Sequence, residues 1–252
     1  MTPNGKELIV GPKFERKSSE CIDMETGIRK PFSLMKSGKK VSLRRLCISP
    51  DGQFVAFRGH GGDIYIMDTK TKEFVKDFSM NDQCRSVCFS ADSRNLLSHG
   101  EGGQCYIWDV KASKLVTKFY DEGTIFANVL AVSPNQQFLA TGSEAGVVNL
   151  YDYRSAMMSN DSNSVQPLKS FMNLTTGIRS ITFNHSSELM AFSSIKKPNC
   201  VKIAHVASRS VFSNFPPKEP LERVGEVRFS PSSGFLALGG NAHSIPVCLT
   251  CI

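Results

Sequence analysis

Tyr106-Ile107-Trp108-Asp109 closes a short alternating segment that follows Gly100-Glu101-Gly102-Gly103, and altered copies of this stretch recur along the chain. Related endings are Tyr65-Ile66-Met67-Asp68 and Asn149-Leu150-Tyr151-Asp152. Upstream of each lies a polar turn: Ser49-Pro50-Asp51-Gly52, Ser90-Ala91-Asp92-Ser93 and Ser133-Pro134-Asn135-Gln136. Further copies are Thr2-Pro3-Asn4-Gly5, Asn184-His185-Ser186-Ser187 and Ser230-Pro231-Ser232-Ser233. The second residues of these turns fall at 3, 50, 91, 134, 185 and 231, at intervals of 47, 41, 43, 51 and 46. A repeat of that length holds one unit of about four short strands.

Each unit reads alike inside. An alternating segment precedes the turn (85–89, 128–132, 178–183, 226–229), and a compact apolar run follows it (54–57, 138–140, 189–192, 235–238). Continuous apolar runs suit strands covered on both faces. Glycine-rich turns come next, as in Gly59-His60-Gly61-Gly62 and 142–146, where positive φ is expected. The aromatic-Asp segment is the third strand, and residues 73–78, 114–119, 168–172 and 210–215 supply the fourth. No helical period of useful length is present, and the polar segment 154–166 reads as a flexible loop.

Trp-Asp at such a period marks a WD40-type β-propeller, an all-β fold. Residues 1–252 form one domain in this reading: a partial blade 1–40, blades 41–80, 81–120, 121–172 and 173–216, and a partial blade 217–252. The first unit begins at its turn, and after Gly240 the pattern changes, with Pro246 unable to donate to a strand ladder. An incomplete ring of about four full blades with two partial ones is therefore expected. Trp108 and Asp109 hold the structural Trp-Asp position, and Trp108 is expected to bury on the order of 200 Å².

Forty per cent of the 252 residues are hydrophobic, ample for a core, yet no run of about eighteen apolar residues offers a membrane span. The first six residues lack a secretory signal's apolar core, so the eight cysteines are expected as reduced thiols. The net charge of +7 is local: residues 1–45 hold eleven Lys and Arg against five Asp and Glu. Lys36, Lys39, Lys40, Arg44 and Arg45 form the candidate patch for RNA phosphates or an acidic partner, the alternative being solvated loop charges.

Catalytic and metal signals are weak. Cys84-x3-Cys88 and Cys248-x2-Cys251 have no second ligand pair nearby, so buried thiols are the better reading. Five histidines are scattered through different units, with no nucleophile elbow and no phosphate-binding loop opening a helix. No enzyme activity, cofactor, metal or small-molecule substrate is expected. Gly59-His60 falls after the second strand, so the Gly-His network of many WD repeats is expected to be absent, leaving packing and backbone ladders. Tyr151-Asp152-Tyr153-Arg154 resembles the aromatic-Asp-x-Arg ending that docks cullin-type ubiquitin ligases, an alternative reading as a substrate receptor.

More specific are Phe119-Tyr120-Asp121-Glu122-Gly123, Met172-Asn173-Leu174-Thr175-Thr176-Gly177, Val211-Phe212-Ser213-Asn214-Phe215-Pro216, and Phe229-Ser230-Pro231-Ser232-Ser233-Gly234-Phe235. Together with the segment 142–151 they resemble the U3 small nucleolar RNA-associated protein 18 family over about residues 1–240. The resemblance implies a non-catalytic scaffold subunit of the small-subunit processome, in the nucleolus of the nucleus, acting in precursor rRNA processing and 40S subunit biogenesis. Its implied partners are other processome proteins, including WD-repeat subunits, and U3 snoRNA or pre-rRNA, with no membrane. The family's long N-terminal extension, which recruits the exosome's helicase, has no counterpart in this sequence. The tail after Gly240 reads as divergent from the family.

Overall fold

The computed structural model describes residues 2–10, 19–32, 35–36, 39–40, 46–159, 165–216, 221–240 and 247–249, with backbone alone for 35–36, 39–40 and 247–249. Consecutive antiparallel strands form a series of small sheets. The first contains β1 (Glu7–Val10), β2 (Ser19–Asp23) and β3 (Arg29–Phe32), followed by a pair of two-residue strands, β4 (Met35–Lys36) and β5 (Lys39–Lys40). The next sheet holds β6 (Leu46–Ile48), β7 (Phe54–Arg58), β8 (Asp63–Asp68) and β9 (Phe74–Ser79). Then come β10 (Cys84–Phe89), β11 (Asn95–Gly100), β12 (Gln104–Asp109) and β13 (Lys114–Tyr120). A fourth large sheet has β14 (Ala127–Val132), β15 (Phe138–Ser143), β16 (Val148–Asp152) and β17 (Lys169–Phe171). A short helix, α1 (Tyr153–Met157), separates its last two strands. The fifth has β18 (Ser180–Phe183), β19 (Leu189–Ser193), β20 (Val201–His205) and β21 (Ser210–Val211), and the sixth β22 (Val224–Phe229), β23 (Phe235–Gly240) and β24 (Val247–Leu249).

The innermost strands β6, β10, β14, β18 and β22 lie one against the next, and the sheets radiate from them as the blades of a WD40-type propeller. The described core divides into five apolar clusters, each between two successive sheets. Ile9 and Cys21 meet Val55, Phe57 and Met67 at the first boundary. Phe78 and Met80 meet Leu96, Tyr106 and Trp108 at the second. Leu97, Ile107 and Phe119 meet Leu130, Leu139 and Tyr151 at the third. Val148, Leu150 and Phe171 meet Ile181, Met190 and Phe192 at the fourth, and Leu189 and Ile203 meet Val227 and Leu238 at the fifth. Leu96 and Leu97 are neighbours in β11 yet serve different boundaries, because successive strand side chains point to opposite faces. The apolar runs 54–57, 138–140 and 189–192 are central strands buried between two neighbours, whereas 235–238 buries Leu236 and Leu238 at one boundary and leaves Phe235 exposed.

The repeated polar turn is built by its first residue. The side chains of Thr2, Ser49, Ser90, Ser133, Asn184 and Ser230 each accept the backbone N–H five residues on, at 2.8–3.0 Å, fixing the start of the next strand. The fourth turn residue takes a left-handed φ between +55° and +73°, at Gly5, Gly52, Ser93, Gln136, Ser187 and Ser233 alike. A non-glycine residue there is strained by on the order of 1 kcal/mol. Three serines offset that cost by bonding to the preceding blade: Ser93 Oγ accepts from Asp51 N–H, Ser187 Oγ from Asn135 N–H and Ser233 Oγ from His185 N–H, at 2.8–3.1 Å.

One expectation is corrected and two are refined. Segment 154–166 is not wholly a loop, because Asp152 Oδ1 accepts the Ser155 N–H at 2.7 Å and so caps α1. Within the divergent tail, 247–249 pairs with β23 in the register Phe235↔Leu249 to Ala237↔Val247 and gives the sixth sheet a third strand. Positive φ is also not the whole reason for the glycine-rich turns. A Cβ on Gly62 would stand 2.1 Å from the Met80 carbonyl oxygen, a clash that makes glycine obligatory through close approach.

Candidate interaction surface

Trp108 sits on β12 and is buried, stacked on Tyr106 at a 5.4 Å centroid distance and 9° interplanar angle, with Phe78 across the blade boundary at 5.1 Å. Its indole Nε1–H donates to Ser98 Oγ on β11 at 2.9 Å, so the buried polar end is satisfied. Asp109 turns away from this packing, and its Oδ1 accepts the Ala112 N–H at 2.7 Å to shape the hairpin into β13. Asp68 does the same work one blade earlier with the N–H groups of Lys70 and Thr71, which hold its carboxyl below the usual range, Thr71 most strongly.

The expected reliance on packing and backbone ladders alone is corrected, because a side-chain network other than the Gly-His one lies at the third blade boundary. Asp121, in the link from β13 to β14, is buried with Oδ1 accepting from Tyr151 Oη–H at 2.5 Å and from Asn149 Nδ2–H at 2.8 Å. Thr124 Oγ1–H donates to Oδ2 at 2.6 Å, and His99 Nε2 lies 3.3 Å from the same oxygen, at ion-pair distance but off hydrogen-bond alignment. Burial alone would raise this carboxyl, but His99 and the Asn149 and Thr124 donors outweigh it and hold the pKa at about 2. Burial, then the Asp121 charge, pushes the Tyr151 hydroxyl far up, so it stays a proton donor. Tyr151 Oη also accepts the Glu122 N–H at 2.9 Å, and Asn149 Nδ2–H donates to the Glu122 carbonyl at 2.8 Å. The network thus spans two blades and grips the link between them. In the sequence Tyr151 was legible only as the aromatic residue of an aromatic-Asp ending, and His99 and Asn149 only as polar residues within strands. His99 lies in β11.

The candidate basic patch falls near β4 and β5. Lys36 and Lys39 are partners in that two-residue ladder and Lys40 pairs with Met35, while Arg44 and Arg45 lie outside the described residues. Arg179, Glu226 and Arg228 line an open cavity of about 450 Å³ between the innermost strands. Lys196 is engaged in an ion pair with Glu144. Cys84 and Cys88 are free thiols in β10, and burial pushes Cys84 up to about 12 and Cys88 well above the ordinary value. No cluster of potential metal ligands exists among the described residues. Cys248 lies in β24 and Cys251 outside the described residues. Of the ligase-like ending, Asp152 caps α1, Tyr153 is buried against the third blade boundary, and Arg154 is exposed on the helix.

The blades, their capped turns and the Trp-Asp pair define a WD-repeat propeller, and a family profile described as "Nucleolar protein 10-like, N-terminal domain" matches residues 44–248. Among the curated relatives that bear the name "U3 small nucleolar RNA-associated protein 18 homolog" are proteins of a fly, a mammal and a plant. The Drosophila melanogaster protein is 38% identical over 86% of this chain, the Homo sapiens protein 34% over 94%, and the Arabidopsis thaliana protein 35% over 96%. The chain belongs to the U3 small nucleolar RNA-associated protein 18 family. It spans less than half of these relatives, 43%, 42% and 44% of their lengths in the same order.

Proposed function

We propose that this propeller is a non-catalytic scaffold subunit of the U3 snoRNP within the small-subunit processome, serving precursor rRNA processing and 40S subunit biogenesis in the nucleolus. The observation that carries this reading is likeness to relatives named for U3 small nucleolar RNA over 86–96% of the chain. The architecture is compatible with that work: rigid blades present loops that can hold several neighbours, and no described site assembles a nucleophile, a base and an open cleft. Its partners are other processome proteins and U3 or precursor rRNA, the latter met by phosphate contacts from Lys36, Lys39, Lys40, Arg44 and Arg45.

Gradient sedimentation of tagged protein from nuclear extract tests the assignment. The chain is expected in large particles that carry U3 RNA, and its confinement to the top of the gradient overturns the scaffold reading. For the patch, RNA affinity measured across a salt series is expected to fall steeply, and replacing the five basic residues by serine is expected to flatten that slope. An unchanged slope removes the patch from the RNA interface.

A further inference from the structure

The link from β13 to β14 carries large apolar side chains into solvent, with Ile125 72% exposed and Phe126 47%. The backbone beneath them is not loose. Asp121 N–H donates to the Gly103 carbonyl at 2.8 Å, Ala127 N–H to the Glu101 carbonyl at 3.1 Å, and Glu144 N–H to the Phe126 carbonyl at 2.8 Å. Between these ties, Gly123 takes φ +68° and the buried carboxylate of Asp121 holds the Thr124 hydroxyl. The link is fastened from below by a directional polar network while its apolar residues face outward. Exposed aliphatic and aromatic groups on an ordered frame lose little freedom on docking, which is how the apolar anchors of protein interfaces operate.

The charges around this knob choose its partner. Its backbone is bonded to the turns that carry Glu101 and Glu144, and Glu122 lies exposed in the same link. Asp82 accepts the Gly102 N–H beside them. Against these four carboxylates stand Arg85, 3.9 Å from Glu101, and Lys196, paired with Glu144. The rim is acidic although the whole chain is basic, so it repels phosphate backbones and attracts cationic side chains.

We propose that Ile125 and Phe126, framed by Glu101, Glu122 and Glu144, are the docking point for a protein segment that sets apolar anchor residues beside lysine or arginine. This goes beyond the processome reading and does not depend on it. Random peptides displayed on phage and selected on the full chain, with the Ile125→Ser/Phe126→Ser chain as counter-selection, are expected to converge on aliphatic or aromatic residues flanked by Lys or Arg. Synthetic copies are expected to bind the unaltered chain about tenfold tighter than the double variant, with a comparable loss in a Glu101→Gln/Glu122→Gln chain of unchanged melting temperature. The proposal is overturned if no peptide survives counter-selection, if the enriched peptides are acidic or uncharged, or if the glutamine variants bind as before. Competition by a uridine oligonucleotide for the same site overturns it as well.

Discussion

Met80 and Asp121 occupy the same place in successive blades and solve it in opposite ways. Each lies two residues past a buried phenylalanine, Phe78 or Phe119, and each donates its N–H to the last glycine of the preceding hairpin, Gly62 or Gly103. Met80 fills the position with a thioether in the apolar cluster around Trp108. Asp121 fills it with a carboxylate surrounded by His99, Thr124, Asn149 and Tyr151. The residue one turn away differs to match: Arg58 sends its guanidinium to the Cys84 and Arg85 carbonyls at 2.9 Å, whereas His99 at the corresponding position turns to Asp121. A propeller boundary therefore accepts either an oily plug or a fully satisfied charge. The plug supplies burial without direction, and the carboxylate supplies direction that fixes the link carrying Ile125 and Phe126.

Removing the charge centre has the largest expected effect. Asp121→Ala leaves Asn149 and Tyr151 without their shared acceptor and His99 without its ion-pair partner in a buried site, and is expected to cost about 3–5 kcal/mol in urea unfolding. Trp108, the only tryptophan, gives a fluorescence reading of that transition. Met80→Ala opens a cavity without orphaning a polar atom, and a smaller loss of about 2–3 kcal/mol is expected in the same assay. A loss for Met80→Ala exceeding that for Asp121→Ala breaks the comparison.

Acid sharpens it further. The Asp121 pKa is lowered from 3.8 to about 2 on folding, so its contribution is present above pH 4 and is lost as the pH falls toward 2. About 2 kcal/mol is at stake. Stability measured between pH 4 and 2 is expected to fall in the Met80→Ala chain as in the unaltered one, and to fall much less in Asp121→Asn. Parallel curves for all three place the acid sensitivity elsewhere.

Much of the fold was written in short-range chemistry. Ser49, Ser90 and Ser133 cap a strand start five residues on, and Asp68 and Asp109 cap a hairpin two or three residues on, so each signal and its target lie within one stretch of chain. The alternation of Leu96 and Leu97 between two boundaries follows from strand geometry alone. Those local rules, repeated, determined the blades and their order. The tertiary structure alone decided which polar residues would meet. His99, Asp121 and Asn149 come from three separate elements, and only the packing of one blade against the next brings them within bonding distance. It also decided that Asp152 caps α1 where Asp109 caps a hairpin, and that 247–249 extends the last sheet. A capping bond needs only its neighbours, whereas a buried ion site or a sheet's further strand depends on where distant backbone has been placed.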